Sequence, residues 1–388
     1  MGIERIALVA SDFEDGGVER NFTNLARGLA RLGVETWFLV GDPRHAYLQD
    51  LDPAIRILPV TGPRVEFLRD FMAHERPDCL VTGKLKDDLA ALAARDALPP
   101  AAGGGGGTRL VAAVGTLMSG RFSGHRWNLF KTLSETRRIR TCYRRLDGLT
   151  AVSHAVADDL RRTFRVTDVP IAVLNNPICP DDLEALAAAP CTHPWLTAPR
   201  GAGRPPVIIA LGGLRKVKDF ATLLRAFARL EHPRARLLII GEGKERARLT
   251  ALARRLAIDA RLDLPGFVAD PFPFLARADL LVLSSRREGL PNALVEAMAL
   301  GTPVVATDCT GGVRELLQDG RLGPLVPIGN PAALAAAIDT ELTRLAAGDL
   351  DREALRRAAT PFGLVPAARA YLEFFRSVTR RPNTGRRC

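Results

Sequence analysis

Two glutamates, Glu288 and Glu296, bracket a Gly-Leu-Pro-Asn turn in the stretch "SSRREGLPNALVEAMALGTPVVATD" (284–308). The free backbone N–H groups of a helix start form an anion site, and Gly289 leaves room for close approach. Carboxylates beside an anion site make an odd pairing unless the ligand carries both phosphate and hydroxyls. A nucleotide sugar carries both.

The elements around the turn are legible from pattern. An apolar run before it, "LLVLS" (280–284), and another after it, "PVVAT" (303–307), read as buried strands of a parallel sheet. Pro291 suits a first helical position and Gly301 a helix end. The same alternation extends over the chain. Strands are expected at 5–10, 36–41, 56–60, 78–83, 109–115 and 148–153, then at 206–213, 236–241 and 261–267. Helices intervene. In the first, Val18, Phe22, Leu25, Leu29 and Leu32 form an amphipathic stripe ending at Gly33. Alternating strands and helices in both halves imply two doubly wound parallel-sheet domains, with ligands at the carboxyl ends of the strands. A Pro/Ala/Gly-rich stretch, 176–205, reads as the interdomain region. The glycine run within 97–109 reads as a surface insertion, since neither a helix start nor a lysine follows it.

Bulk properties exclude several classes. At 388 residues, 47% hydrophobic and 25% charged, the chain is long enough for two packed cores. No apolar run reaches the ~18–20 residues of a membrane helix, and the N-terminus lacks a signal-peptide pattern. Six scattered cysteines, without Cys-x-x-Cys or a Cys/His cluster, read as reduced cytosolic thiols with no structural metal. The net charge of +11 is concentrated. Residues 121–145 hold eight Lys/Arg against one acid, and the tail from Arg376 adds five Arg. Such patches suit acidic substrates or anionic lipid. No nucleic-acid-binding module accompanies them, so nucleic acid is not an expected partner. A plain solvated face remains open for each patch.

"EGLPNALVE" resembles the E-x7-E motif of the family 4 retaining glycosyltransferases, which have the GT-B fold. The resemblance runs along most of the chain, through "GGVERNFTNLARGLARLG" (16–33), "AVSHAVADDL" (151–160), "NNPI" (175–178), "KDFATLLRAFARL", "LLIIGEG" and "GFVADPFPFLARADLLVLSS". It implies two Rossmann-like domains facing across a cleft. The acceptor-side domain would span 1–175 and a nucleotide-sugar domain 206–360, with a final helix in 361–388 returning to the first. It also implies roles. Glu288 would face the donor sugar hydroxyls, and Glu296 would accept from the ribose hydroxyls, as an acceptor-only carboxylate can. Lys218 would neutralise the departing diphosphate. The amides of Gly289 and Leu290 would bind diphosphate or sugar oxygens. Gly16 and Gly17 would let backbone approach the donor from the first domain, and Gly266, Phe267 and Val268 would flank the base.

Bland roles stand beside these. Asn292 could cap its helix, and Asp12 and Glu14 could be solvated. The family's arginine five positions before the lysine is replaced by Gly213; Arg215 or Lys216 could reach in instead. The family's sugar-contacting histidine has only His125 as a counterpart, well past its strand, and a surface role suits it better. The resemblance implies retention by front-face substitution, with neither metal nor cofactor. The partners it implies are a nucleotide-sugar donor, commonly a UDP-sugar, and a glycan or lipid-linked acceptor used in cell-surface polysaccharide synthesis. The enzyme would be cytoplasmic, resting on the inner membrane face. A hydrolysing nucleotide-sugar epimerase of the same architecture is the alternative.

Overall fold

The computed structural model describes residues 5–12, 17–48, 51–99, 107–122, 129–197 and 203–380. The chain divides into two units, residues 1–178 with 362–388, and residues 179–361.

The first unit is built on seven parallel strands: β1 (Arg5–Ala10), β2 (Glu35–Val40), β3 (Ile55–Pro59), β4 (Cys79–Thr82), β5 (Arg109–Val114), β6 (Gly148–Ala151) and β7 (Ile171–Val173). Their order is β3-β2-β1-β4-β5-β6-β7. Helices α1 (Gly17–Arg31), α2 (Arg64–Glu75), α3 (Leu85–Asp96), α4 (Leu129–Arg144) and α5 (His154–Asp158) accompany them. β1 and β2 are buried on both faces, which is why "IALVA" and "TWFLV" read as unbroken apolar runs. On α1, Phe22, Leu25 and Leu29 enter the core with Ile6, Leu8 and Phe38, whereas Val18 and Leu32 pack at its margin. Each fully buried Leu or Phe contributes ~1.5–3 kcal/mol, so the stripe holds the helix firmly to the sheet.

The second unit has six parallel strands: β8 (Val207–Leu211), β9 (Arg236–Ile240), β10 (Leu262–Gly266), β11 (Leu280–Leu283), β12 (Val304–Thr307) and β13 (Leu325–Val326), in the order β10-β9-β8-β11-β12-β13. Its helices are α6 (Leu183–Ala188), α7 (Phe220–Phe227), α8 (Arg246–Arg255), α9 (Phe272–Arg277), α10 (Asn292–Ala299), α11 (Val313–Leu316), α12 (Pro331–Ala347) and α13 (Arg352–Ala359). Part of the stretch read as interdomain is integral to this unit. Arg277 of α9 donates to the Ala187 and Ala188 carbonyls at the end of α6. The last helix, α14 (Leu364–Thr379), rejoins the first unit. It lies close on α1 at Gly28, where an added Cβ would sit 2.6 Å from that of Ala368.

Two expectations need correction. Pro291 precedes α10 as its N-cap residue, and Asn292 opens the helix, so Asn292 does not cap it. The basic stretch 121–145 is only partly an open face. Ile139, Cys142 and Tyr143 are buried, while Arg144 pairs with Asp168 at 2.8 Å and Arg145 with Asp96 at 2.6 Å. Most of the glycine-rich insertion (100–106), Gly16, Glu14 and His125 lie outside the described residues.

Candidate active site

In both sheets the strand order reverses once, between β1 and β4 and between β8 and β11. Such switch points open a crevice at the carboxyl ends of the two strands, where successive connections leave on opposite faces. In the second unit two polar groups singled out by the sequence, Lys218 and Glu288, meet there.

In the second unit the loop after β8 carries Lys218, in a short 3-10 turn (Lys216–Lys218), and the loop after β11 carries Glu288. Lys218 Nζ donates to Glu288 Oε1 at 2.7 Å, the side chains being 22% and 11% exposed. Taking two charges out of water costs several kcal/mol per ion, so such a pair is weak evidence of a stabilising role. Three consecutive residues after β11 brace the two loops. Ser284 Oγ donates to the Lys218 carbonyl at 2.8 Å, Ser285 Oγ to Glu288 Oε1 at 2.6 Å, and the Arg286 guanidinium pairs with Asp219 at 2.8 Å.

The backbone around Glu288 is fixed from the loop after β12. Its N–H donates to the Thr310 carbonyl at 3.0 Å, and the Gly312 N–H donates to the Gly289 carbonyl at 2.8 Å. Gly311 makes this approach feasible: with φ +130°, its missing Cβ would fall 1.9 Å from the Glu288 carbonyl oxygen. Gly289 is buried and Leu290 half-buried, directly before α10. Pro291 offers no side-chain cap to α10, and its carbonyl accepts from the Leu294 N–H at 3.0 Å. Glu296 sits in the second turn of that helix and is buried. Cys309, also buried, lies close enough to Glu288 for its charge to matter; burial first, then that carboxylate, pushes the thiol up to about 11.

Arg215 and Gly213 are neighbours in space as well as in sequence. A Cβ at Gly213 would lie 3.3 Å from Arg215 Nε, so the arginine stem folds back over the glycine. Gly266, Phe267 and Val268 lie at the carboxyl end of β10, two strands from β8. Phe267 is 50% exposed, and Gly266 before it lies against the Glu242–Arg246 pair, whose hydrogen bond holds the Glu242 carboxyl below its ordinary value. The structure thus joins Lys218 to Glu288 directly and sets Gly289 and Leu290 against them. Gly266–Val268 are kept farther along the same sheet edge.

In the first unit, Gly17 opens α1 at the β1/β4 switch point. Lys84, after β4, donates to the Asp12 carbonyl at 2.7 Å and forms an ion pair with Glu19 Oε1 at 2.5 Å. It therefore ties the end of β1 to the first turn of α1. The Asp12 side chain, read as solvated, faces Arg64 at 3.3 Å.

Sequence reasoning missed Ser284, Ser285, Arg286, Lys84 and Gly311. A Ser-Ser pair directly after an apolar run was the available signal for the first two, since strand ends at a switch point favour such side chains.

Residues 15–182 match the family model described as Glycosyltransferase Family 4, and residues 205–344 that of Glycosyl transferases group 1. The chain belongs to the family 4 glycosyltransferases. One relative of this glycosyltransferase is the Rhizobium meliloti lipopolysaccharide core biosynthesis glycosyltransferase LpsE, 40% identical over 134 residues, 34% of this chain and 38% of LpsE. The Campylobacter jejuni N-acetylgalactosamine-N,N'-diacetylbacillosaminyl-diphospho-undecaprenol 4-alpha-N-acetylgalactosaminyltransferase is 30% identical over 215 residues, 55% of this chain and 56% of that one. The matches therefore span less than two thirds of either relative's length. LpsD of Rhizobium meliloti is 26% identical over 376 residues, 95% of this chain and 97% of LpsD. Among solved structures, the Rickettsia africae glycosyltransferase superposes with TM-score 0.75 at 18% identity, covering 97% of this chain and 98% of that one. Anabaena HepE in complex with UDP gives 0.73 at 18%, covering 96% and 100%. The fold of this glycosyltransferase is GT-B.

Proposed function

We propose that this glycosyltransferase moves a hexosyl or N-acetylhexosaminyl group, with retention, from a nucleoside-diphosphate sugar to a hydroxyl of a glycan or lipid-linked acceptor. The contact that carries this reading is the Lys218–Glu288 pair at the β8/β11 switch point. An ammonium and a carboxylate held at one strand edge suit a ligand whose phosphates need a cation and whose sugar hydroxyls need an acceptor. Lys218, with Arg215 folded over Gly213, would meet the negative charge that grows on the departing diphosphate. Glu288 would orient the sugar. Glu296 would take the ribose hydroxyls, the Gly289 and Leu290 amides the diphosphate or sugar oxygens, and Gly266–Val268 the base. The departing diphosphate itself takes the proton of the incoming hydroxyl on the same face of the sugar, so positioning and charge stabilisation are the protein's contributions. No metal or cofactor enters this scheme.

A UDP-sugar donor is favoured by the UDP bound in HepE, and an acceptor in polysaccharide or lipopolysaccharide synthesis by the names of LpsE and LpsD. No helix of the described residues is long and apolar enough to cross a membrane. We place the chain peripherally on an anionic cytoplasmic surface. The exposed part of α4, with Leu133 at 62% exposure beside Arg137 and Arg138, is the face for it.

The test is release of UDP from candidate UDP-sugars, with and without added acceptors, by wild type and Glu288→Gln. The proposal expects acceptor-dependent release that falls about tenfold or more in the variant, ~1.4 kcal/mol of barrier. Rapid release without acceptor would favour the epimerase, and undiminished transfer by the variant would remove Glu288 from the mechanism.

A further inference from the structure

Glu288 Oε1 accepts two hydrogen bonds, from Lys218 Nζ and from Ser285 Oγ. Among the described residues nothing donates to Oε2. The two donors differ in what else they can do. Lys218 carries three N–H donors on a flexible stem, and a diphosphate is a stronger attraction for it than one carboxylate. Ser285 has a single hydroxyl proton, is 1% exposed, and is anchored from its other side: Thr307 Oγ1 donates to the Ser285 carbonyl at 2.5 Å.

We propose that Ser285 is the positioning residue for Glu288. It holds Oε1 in place while the Lys218 ammonium turns toward the diphosphate, which leaves Oε2 directed at a donor hydroxyl. This rests on the reading of Glu288 as the carboxylate that faces the donor sugar. Without the serine hydroxyl, the carboxylate keeps its charge but loses its fixed donor when the lysine is drawn away. The loss belongs to the loaded enzyme approaching the transition state, so it should appear in kcat and spare the binding of a nucleotide that lacks the sugar.

The experiment measures kcat and donor KM for Ser285→Ala, Ser285→Cys and Ser285→Thr, alone and with Glu288→Gln. It also measures the Kd of UDP and the melting temperature of each variant. Ser285→Ala should lose about tenfold or more in kcat, with donor KM and UDP affinity within about twofold of wild type. Ser285→Cys, similar in size but a weak donor, should lose as much. Ser285→Thr, which keeps the hydroxyl, should recover most of the activity if its melting temperature is normal; if its extra methyl destabilises the fold, the alanine and cysteine variants decide. In the Glu288→Gln background, Ser285→Ala should add less than about twofold, because the two act as a unit. Wild-type kcat in Ser285→Ala alongside an impaired Glu288→Gln would overturn the role of Ser285 and leave that of Glu288 standing. An undiminished Glu288→Gln would overturn both. A loss of UDP affinity equal to the loss in kcat would mark Ser285 as merely structural and overturn the proposal.

Discussion

In the proposed reaction Lys218 and Arg215 divide the cationic work, in an arrangement that Gly213 leaves room for. A side chain at 213 would meet the Arg215 stem, 3.3 Å from its Cβ; with glycine there, the guanidinium can fold over the loop beside Lys218. Two cations on one diphosphate act on the same developing charge, so their losses should not add. Lys218→Ala is expected to lower kcat/KM by about a hundredfold, ~2.7 kcal/mol, and Arg215→Ala by about tenfold. The double variant should lose less than the product of the two. Steady-state kinetics on the four proteins checks this. Near-wild-type rates in both single variants would mean that the diphosphate is held elsewhere.

At the scale of elements, the junction of β4 with α3 stores an electrostatic cost. Thr82 at the end of β4 donates to Asp88 Oδ1 at 2.5 Å, and Asp87 beside it accepts from Ser11 and faces Arg64 at 3.3 Å. Burial, with a smaller contribution from the Asp87 charge, pushes Asp88 from the ordinary 3.8 up to about 7. A carboxyl whose folded-state value is raised holds its proton in the native state after the unfolded chain has released it. Stability therefore falls as pH rises from about 4 to about 7, and the penalty is complete above that. Asp88→Asn keeps an acceptor for Thr82 and removes the charge. It should raise the melting temperature at pH 8, by a stabilisation on the order of 2–4 kcal/mol, and change it little at pH 4. Thermal melts of both proteins across that range provide the check. An equal shift at both pH values would mean that the buried charge is not the cause.

For the whole molecule, a charge of +11 matters only where it is unpaired and exposed. Of the arginines in α4 and just after it, Arg144 and Arg145 already face aspartates and Arg140 donates to the Phe164 carbonyl, so the exposed basic face beside Leu133 is Arg137 with Arg138, the latter 58% exposed and only 3.9 Å from Glu135. Each basic residue at an anionic surface contributes ~1 kcal/mol, screened by salt. Co-sedimentation with anionic vesicles at low salt should be clear for wild type, weaker by about tenfold or more for Arg137→Gln/Arg138→Gln, and weak with neutral vesicles. Binding that ignores both lipid charge and these two substitutions would exclude this face as the contact.

The sequence by itself determined the alternation of strands and helices, because a strand buried on both faces must be apolar throughout and a covering helix must be apolar along one stripe. "RIALVA", "TWFLV" and "PVVAT" carry that signal, and the Phe22–Leu25–Leu29 stripe shows which side of α1 turns inward. The place of Glu288 in a turn between β11 and α10 was legible too, and its pairing with Lys218 was not. Short β7 and β13 were not, since two or three residues cannot display a period. Strand order was decided only in three dimensions. Pairing β8 with β11, and β1 with β4, depends on long-range packing of whole faces and leaves no local trace. That order brings Lys218 to Glu288 and Lys84 to Glu19. The roles of Ser285 and Gly311 follow from the same cause: a hydroxyl or a missing Cβ acquires meaning only once the tertiary structure has set a partner against it.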